Sequence, residues 1–192
     1  MFTYRYTPTL FTPADAERIT GCSVTLQRDW RRRNLLPPNE AGREARFNAV
    51  ALGELLFMHV MADRGIGPQQ TRPIADLAGG AIACYALQYD DAWSGEMPPG
   101  GLSMSTAVGA IRKIAPSPIL QGGAIMAPLF IWWADGTEFW DTSVDHAIAG
   151  VAEPDMYKKL GGPVVVLDQN LIGALLVARA GRPLVHSERV EI

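Results

Sequence analysis

The stretch TPADAERITGCSVTLQRDWRRR, residues 12–33, decides the fold of the first part of the chain. Thr12 is typical of a helix N-cap, and Asp15 completes a capping box with it. Pro13 suits the first helical position because its missing N–H costs no hydrogen bond there. Gly21 permits the left-handed turn that ends the first helix, and Ser23 can cap a second one. The pattern therefore predicts two short helices joined by a glycine-centred turn, a helix-turn-helix.

The second helix of this motif has two different faces. At about 100° per residue, Leu26 and Trp30 fall together on one side of the helical wheel. The other side carries Val24, Thr25, Arg28, Arg31 and Arg32. An apolar anchor behind a cationic face suits a helix that lies in a DNA major groove. The same arginines also suit a solvated helix end, where cations interact favourably with the C-terminal dipole, and this stretch alone leaves both interpretations open.

The residues that follow predict a connection and then a long apolar helix. PPNEAGREARF, residues 37–47, has the prolines and glycine typical of a tight connection or a short β-hairpin, with Arg43 and Arg46 on it. From Asn48 as a cap, the chain predicts a helix that ends at Gly65. His59 lies on the apolar stripe of that helix without a partner constellation, so we expect it to pack rather than to bind a ligand or transfer a proton.

Taken together, residues 9–78 resemble the winged helix-turn-helix domain of the MerR family of transcription regulators. Gly21 matches the turn glycine of that family, Arg28 its recognition-helix arginine and Trp30 the aromatic residue that follows. The resemblance implies a DNA-binding regulator whose helix 23–33 enters the major groove, whose wing contacts the backbone, and whose operator is distorted on binding. The DNA-binding residues predicted on this basis are Ser23, Thr25, Arg28, Arg31, Arg32, Arg43 and Arg46.

The chain also departs from the family pattern. Asn34 stands where the family usually has Gly, and Gln27 replaces a usually aliphatic residue. Pro73 interrupts what would be the next family helix, which predicts a kink or a start near Thr71. Residues 79–101 predict only a short helix and a linker, so the long heptad-patterned helix by which family members usually dimerise is missing. The Cys-rich loops of the metal-sensing members are missing too.

The charges of the chain are unevenly distributed. Residues 1–72 contain ten Arg and seven acidic residues, a balance of +3, whereas residues 73–192 carry a balance of −6. All basic residues of the first part are Arg, whose planar guanidinium suits phosphate oxygens and guanine edges. We therefore expect the first part to bind the anionic partner, double-stranded DNA, despite the net charge of −3.

Composition and targeting signals narrow the class of protein. There is no run of eighteen apolar residues, and MFTYRYTPTLF lacks the order of a signal peptide, so we expect a cytoplasmic protein without a membrane partner. Two cysteines, Cys22 and Cys84, lie far apart without metal-ligand spacing. We therefore expect neither a disulfide framework, nor a metal site, nor a cofactor.

The second half predicts a small α+β domain over residues 102–192. LFIWWADGTEFWDT, residues 129–142, has the composition of a β-hairpin, and PVVVLD predicts a buried strand. Asp168 is expected to cap a helix through about Ala180, followed by a final strand in RPLVHSERVEI. The aromatic residues are expected to pack in the core, and these are Trp132, Trp133, Phe139 and Trp140. The fold class is therefore α+β: a mostly helical winged helix-turn-helix domain over residues 1–78, a short helix and linker over residues 79–101, and this C-terminal domain.

No catalytic constellation emerges from the sequence. Asp145 and His146 are adjacent, and neighbouring helical residues do not face one another, so a solvated surface is favoured and no enzyme is expected. The main hypothesis is a sequence-specific transcription regulator, with the C-terminal domain serving a homodimer, a small effector or a protein partner. An excisionase-like accessory protein and a protein-interaction module remain the alternatives.

Overall fold

The helix-turn-helix stretch forms the two helices that its sequence predicts. The structure is a computed structural model that describes residues 2–38, 44–115 and 127–191. In it α1 spans Pro13–Thr20 and α2 spans Val24–Arg32. The Thr12 hydroxyl accepts from the Asp15 amide at 3.1 Å, and the Asp15 carboxylate accepts from the Thr12 amide at 3.0 Å. Gly21 has φ of 81°, and a Cβ there would lie 3.0 Å from Nε2 of His59, so the turn needs glycine for both its conformation and its space.

Two long helices pack behind this motif. α3 spans Ala49–Ala62, with Asn48 accepting from the Ala51 amide as its cap, and α4 spans Pro68–Ala86. The two helices approach closely because small residues face each other: a Cβ on Gly53 would lie 2.5 Å from the carbonyl oxygen of Gly79. His59, on α3, has a side chain 20% exposed, and its Nε2 lies 3.7 Å from the carboxylate of Asp63.

The course of α4 corrects the expected short helix within residues 79–101 and excludes a helix start near Thr71. The helix begins at Pro68 rather than near Thr71 and continues through Pro73, although a proline there lacks the N–H of one helical hydrogen bond. Thr71 and Ala75 on either side of Pro73 are fully buried, so packing offsets the local cost. The short helix expected within residues 79–101 is the second half of α4, followed by a 3-10 turn over Asp90–Ala92. The expected boundary at residue 78 therefore lies inside a helix.

One sheet joins the two ends of the described chain. β1 (Phe2–Pro8) pairs antiparallel with β6 (Val185–Glu191), and β2 (Trp93–Gly95) pairs parallel with β6 on its other side. The strand expected at the C-terminus is confirmed and is the middle strand of this sheet. The sequence predictions did not include β1.

The second sheet contains the expected hairpin. After α5 (Met104–Ile114), strands β3 (Leu129–Trp132) and β4 (Glu138–Asp141) pair antiparallel, and β5 (Val165–Asp168) pairs with the other edge of β3. The helices that follow are α6 (Val144–Ala149), α7 (Glu153–Leu160) and α8 (Gln169–Ala180). Asp168 caps α8 and Gly181 ends it with φ of 66°, as expected.

The aromatic residues of this sheet do not all lie in the core. Trp132 and Trp133 are buried, in agreement with the expectation, whereas Phe139 is 44% exposed. Phe139 lies on β4, an edge strand of this sheet in the part of the chain that the structure describes.

The main hydrophobic cluster contains residues from both the first and the second half of the chain. Trp30 and Leu56 belong to it, and so do Phe130, Leu176 and Val185. The class is therefore α+β, with eight helices and two three-stranded sheets in the described residues. None of the helices in residues 2–38, 44–115 and 127–191 has the length and apolar character needed to cross a membrane.

Candidate nucleic-acid interface

The inner side of α2 is fixed by one apolar and one polar anchor. Trp30 is 2% exposed and lies in the main hydrophobic cluster. Gln27, which replaces an expected aliphatic residue, is fully buried, and its Nε2 donates to the carbonyl oxygens of Pro13 at 3.0 Å and Cys22 at 2.9 Å. These two hydrogen bonds link α2 to Pro13 at the start of α1 and to Cys22 after the turn. The Gln27 amide therefore fixes the position of α2 through hydrogen bonds, where an aliphatic side chain would do so through apolar contacts.

The outer side of α2 carries Thr25 and Arg28, both exposed. Arg28 makes no hydrogen bond and no ion pair with any described residue. It also lines a groove of about 270 Å³ together with Pro13 and Arg31. Its five donors are therefore available to a ligand with acceptor oxygens or nitrogens.

Ser23 lies at the N-terminal end of α2. Its hydroxyl accepts from the Leu26 amide at 3.1 Å and so caps the helix. The positive end of the helix dipole coincides with this position, and the carboxylate of Glu17 is the anionic group there, accepting from the Val24 amide at 3.0 Å.

Arg31 has a structural contact that the sequence did not predict. Its Nε donates to the Pro37 carbonyl at 3.0 Å, and its guanidinium lies 5.7 Å from the centre of the Phe47 ring. Burial lowers the pKa of Arg31, although an arginine keeps its charge at neutral pH. Arg31 therefore links α2 to the segment that precedes α3 and is half-buried rather than fully presented to solvent.

Two other predicted residues are held in surface ion pairs. Arg32 pairs with Asp29 at 2.5 Å while its side chain is 81% exposed, and Arg33 approaches the same carboxylate at 3.5 Å. Arg46 pairs with Glu44 at 2.7 Å. Exposed pairs of this kind contribute about 0–1 kcal/mol, so a phosphate could replace the carboxylate partner at small cost.

The expected wing lies partly outside the described residues, and Arg43 is among the residues that fall there. The described part of this connection contains an antiparallel bridge in which the Phe11 and Phe47 amides donate to each other's carbonyls at 2.9 and 3.0 Å. The bridge places Arg46, the residue before Phe47, beside the start of α1. A groove of about 370 Å³ separates this connection from α3 and is lined by Arg31, Arg46 and Glu54 among others.

Glu54 lines that groove with a mostly buried carboxyl group, its side chain being 14% exposed. Burial raises its pKa to about 7, with Asp76 adding to the rise and Arg72 opposing it. The guanidinium of Arg72 lies 3.8 Å from Glu54 and 2.6 Å from Asp76. The burial of Glu54 could not be predicted from the sequence, because it depends on the close approach of α4, where a Cβ on Gly79 would lie 2.5 Å from Cγ of Glu54.

Two histidine pairs lie away from this surface. Asp145 and His146 are both exposed, as expected, but His146 Nδ1 lies 2.8 Å from the carboxylate of Asp141, a pair that sequence reasoning missed. This hydrogen bond holds the pKa of Asp141 below its usual range. On the first sheet, Ser94 Oγ lies 3.0 Å from His186 Nδ1. Neither pair lines the grooves beside α2, so neither is part of the candidate interface.

No protein-family model matches this chain, and no curated protein or solved structure matches it either. The resemblance to the MerR family stays a prediction carried by the residues of the first part of the chain.

Proposed function

We propose that this protein is a sequence-specific DNA-binding transcription regulator that inserts α2 into the major groove. The observation that carries the proposal is the two-sided construction of α2. Trp30 and Gln27 anchor its inner side. Thr25 lies on its outer side with Arg28, which pairs with no residue that the structure describes. With nine residues, α2 is about 14 Å long, which spans about four base pairs at about 3.4 Å each.

The predicted residues would have different roles in this complex. Thr25 and Arg28 would contact base edges, and an arginine in this position favours guanine. At the N-terminal end of α2, beside Ser23, a phosphate would replace Glu17 as the acceptor of the Val24 amide, and Arg32 would exchange Asp29 for a backbone oxygen. Arg31 would add charge while keeping its bond to Pro37.

Arg46 and Arg43 belong to the wing of the proposed winged helix-turn-helix, MerR-like domain. Their contacts with the flanking backbone would add affinity for any sequence rather than choice between sequences. The same proposal includes a cytoplasmic location, no enzymatic activity, and a C-terminal part that serves a homodimer, an effector or a protein partner. It invokes no metal and no cofactor.

The experiment that tests the proposal selects bound duplexes from a random DNA pool with the full chain. The selected site is then used to compare Arg28→Ala with Arg46→Ala. We expect Arg28→Ala to weaken binding of that site by about 1 to 3 kcal/mol and to relax the choice of base at one position. Arg46→Ala should weaken selected and unselected duplexes to a similar degree.

Arg5→Ala is the matched control, because Arg5 of β1 is an exposed arginine in an ion pair with Glu188 of β6. It should leave DNA binding unchanged. Affinity should fall steeply with salt, since phosphate contacts release counterions. If the full chain binds no duplex even at low salt, DNA binding is overturned and the arginine face becomes a candidate for an acidic protein partner. A footprint without an effect on transcription would favour the accessory-protein alternative.

A further inference from the structure

The outer face of α8 is apolar and exposed among the described residues. Leu171 is 66% exposed and Leu175 38% exposed, and Ala178 continues the same stripe one turn later. The stripe lies opposite Gly173, where a Cβ would approach the Ala86 amide nitrogen of α4 to 2.7 Å. The stripe therefore points away from α4, on which the opposite side of α8 packs. Arg179 is the one charged residue in α8, whereas surface helices usually carry charged residues along their outer face.

The two ends of this face have opposite charges. At the N-terminal end, Asp168 is the cap of α8. The hydroxyl of Tyr89 donates to Asn170 at 3.0 Å, so the chain after Tyr89 passes close to this end. The next two residues, Asp90 and Asp91, are exposed and acidic. Neither Asp90 nor Asp91 forms an ion pair with a described residue.

The C-terminal end is basic. Arg179 is exposed there, and the side chains of Arg18 and Arg182 are about half exposed. Asp15 lies 3.6 Å from Arg18 and 3.5 Å from Arg182, so one carboxylate is shared by two guanidinium groups. The charge at this end is therefore only partly compensated.

We propose that a second copy of this chain docks on this face, with the two α8 helices antiparallel. An identical partner offers the same uncharged stripe, and a two-fold axis lets each copy bury the leucines of the other. The antiparallel direction brings the acidic end of each helix to the basic end of the other, and it also opposes the two helix dipoles. A parallel arrangement would bring like charges together. The register that pairs Asp168 with Arg179 brings Leu171 of one copy within one residue, about 1.5 Å along the helix axis, of Leu175 of the other.

This contact would connect the two copies close to their DNA-binding surfaces. Arg18 of α1 donates to the carbonyls of Arg179 and Ala180, and Arg179 donates to the Ile19 carbonyl at 3.3 Å. These bonds tie the C-terminal end of α8 to the helix that precedes α2. This inference rests on the proposed function, because that function includes a homodimer and the α8 face is the surface through which the homodimer would form. Oligomeric state is measured without DNA, so either proposal can fail alone.

The first measurement is the molar mass of the full chain by sedimentation over a dilution series. We expect a dimer that dissociates on dilution and more readily at high salt, because salt screens the charged ends. Leu175→Glu should be monomeric at every concentration, with an unchanged circular dichroism spectrum and melting temperature. Leu102→Glu is the matched control, because Leu102 lies outside α8 and is 40% exposed. This variant should remain a dimer.

The second measurement tests direction by disulfide trapping. Cys22 and Cys84 are buried, and burial raises the pKa of both thiols to about 12, so they should not compete. When Leu171→Cys and Leu175→Cys chains carrying different tags are mixed and oxidised, the antiparallel register predicts mainly the mixed disulfide. Disulfides between identical variants would overturn the antiparallel arrangement. A wild-type monomer at the highest concentration, or a dimer that survives Leu175→Glu, would overturn the proposal itself.

Discussion

Trp30 anchors the helix that the proposed function places in DNA. It is 2% exposed, and its replacement by Ala would leave a cavity in the cluster that contains Leu36 and Phe47. We expect Trp30→Ala to lower the free energy of unfolding by about 3 to 5 kcal/mol, measured by urea denaturation. Arg28→Ala, on the other side of the same helix, should change it by less than about 0.5 kcal/mol. A stable Trp30→Ala variant that selectively loses DNA binding would instead make Trp30 a contact residue.

Glu54 predicts a pH dependence of stability. Its folded pKa of about 7 lies above the ordinary value of 4.5, so the folded chain holds the proton more tightly than the unfolded chain. The stabilising effect of the protonated group is complete below pH 4.5 and is lost as pH rises through about 7. We expect Glu54→Gln to be more stable than wild type at pH 8 by about 3 kcal/mol at most, and the difference to vanish near pH 4.

The measurement for Glu54 is the free energy of unfolding of both chains across this pH range. Glu138→Gln, at an exposed glutamate on β4, is the control and should show the pH profile of wild type. If Glu54→Gln has the same pH profile of stability as wild type, the carboxyl group of Glu54 is ionised at neutral pH. In that case the ion pair with Arg72 lowers the pKa of Glu54 by more than burial raises it.

At the scale of elements, the helices with local signals could be predicted and those set by distant contacts could not. Thr12, Gly21 and Asp168 determine helix ends within a few residues, so the bounds of α1 and α8 follow from the sequence. β1 has no such signal, since its partner β6 lies at the opposite end of the chain. Its alternation of Tyr4 and Tyr6 with polar residues is the pattern that could have indicated a strand.

The same division applies to the candidate interface. The helical wheel correctly separated Trp30 from Arg28, because helical geometry alone decides which side chains share a face. It did not predict the bond from Arg31 to Pro37, nor the burial of Glu54, because both depend on how α2 and α3 meet the connection between them. The length of α4 was missed for a related reason: Pro73 is unfavourable locally, and its cost is offset by packing against α3.

At the scale of the whole molecule, the first part of the chain depends on the last. β6 is the middle strand of the sheet that contains β1 and β2, and α8 packs on α4 at Gly173. A chain that ends at residue 101 contains the whole expected DNA-binding unit and its linker but lacks both of these elements. We expect it to lose cooperative thermal unfolding, measured by circular dichroism, because it exposes the side of α4 that α8 covers.

Adding back residues 102–192 as a separate chain provides the control for this truncation. The two pieces share one hydrophobic cluster, so their mixture should regain a cooperative transition that neither piece shows alone. DNA binding by the mixture, and its absence with the shorter piece alone, would show that α2 needs the rest of the core to hold its geometry. A cooperative transition in the piece ending at residue 101, at the melting temperature of the full chain, would contradict this dependence. The first part would then be an independent domain, as its resemblance to a winged helix-turn-helix implies.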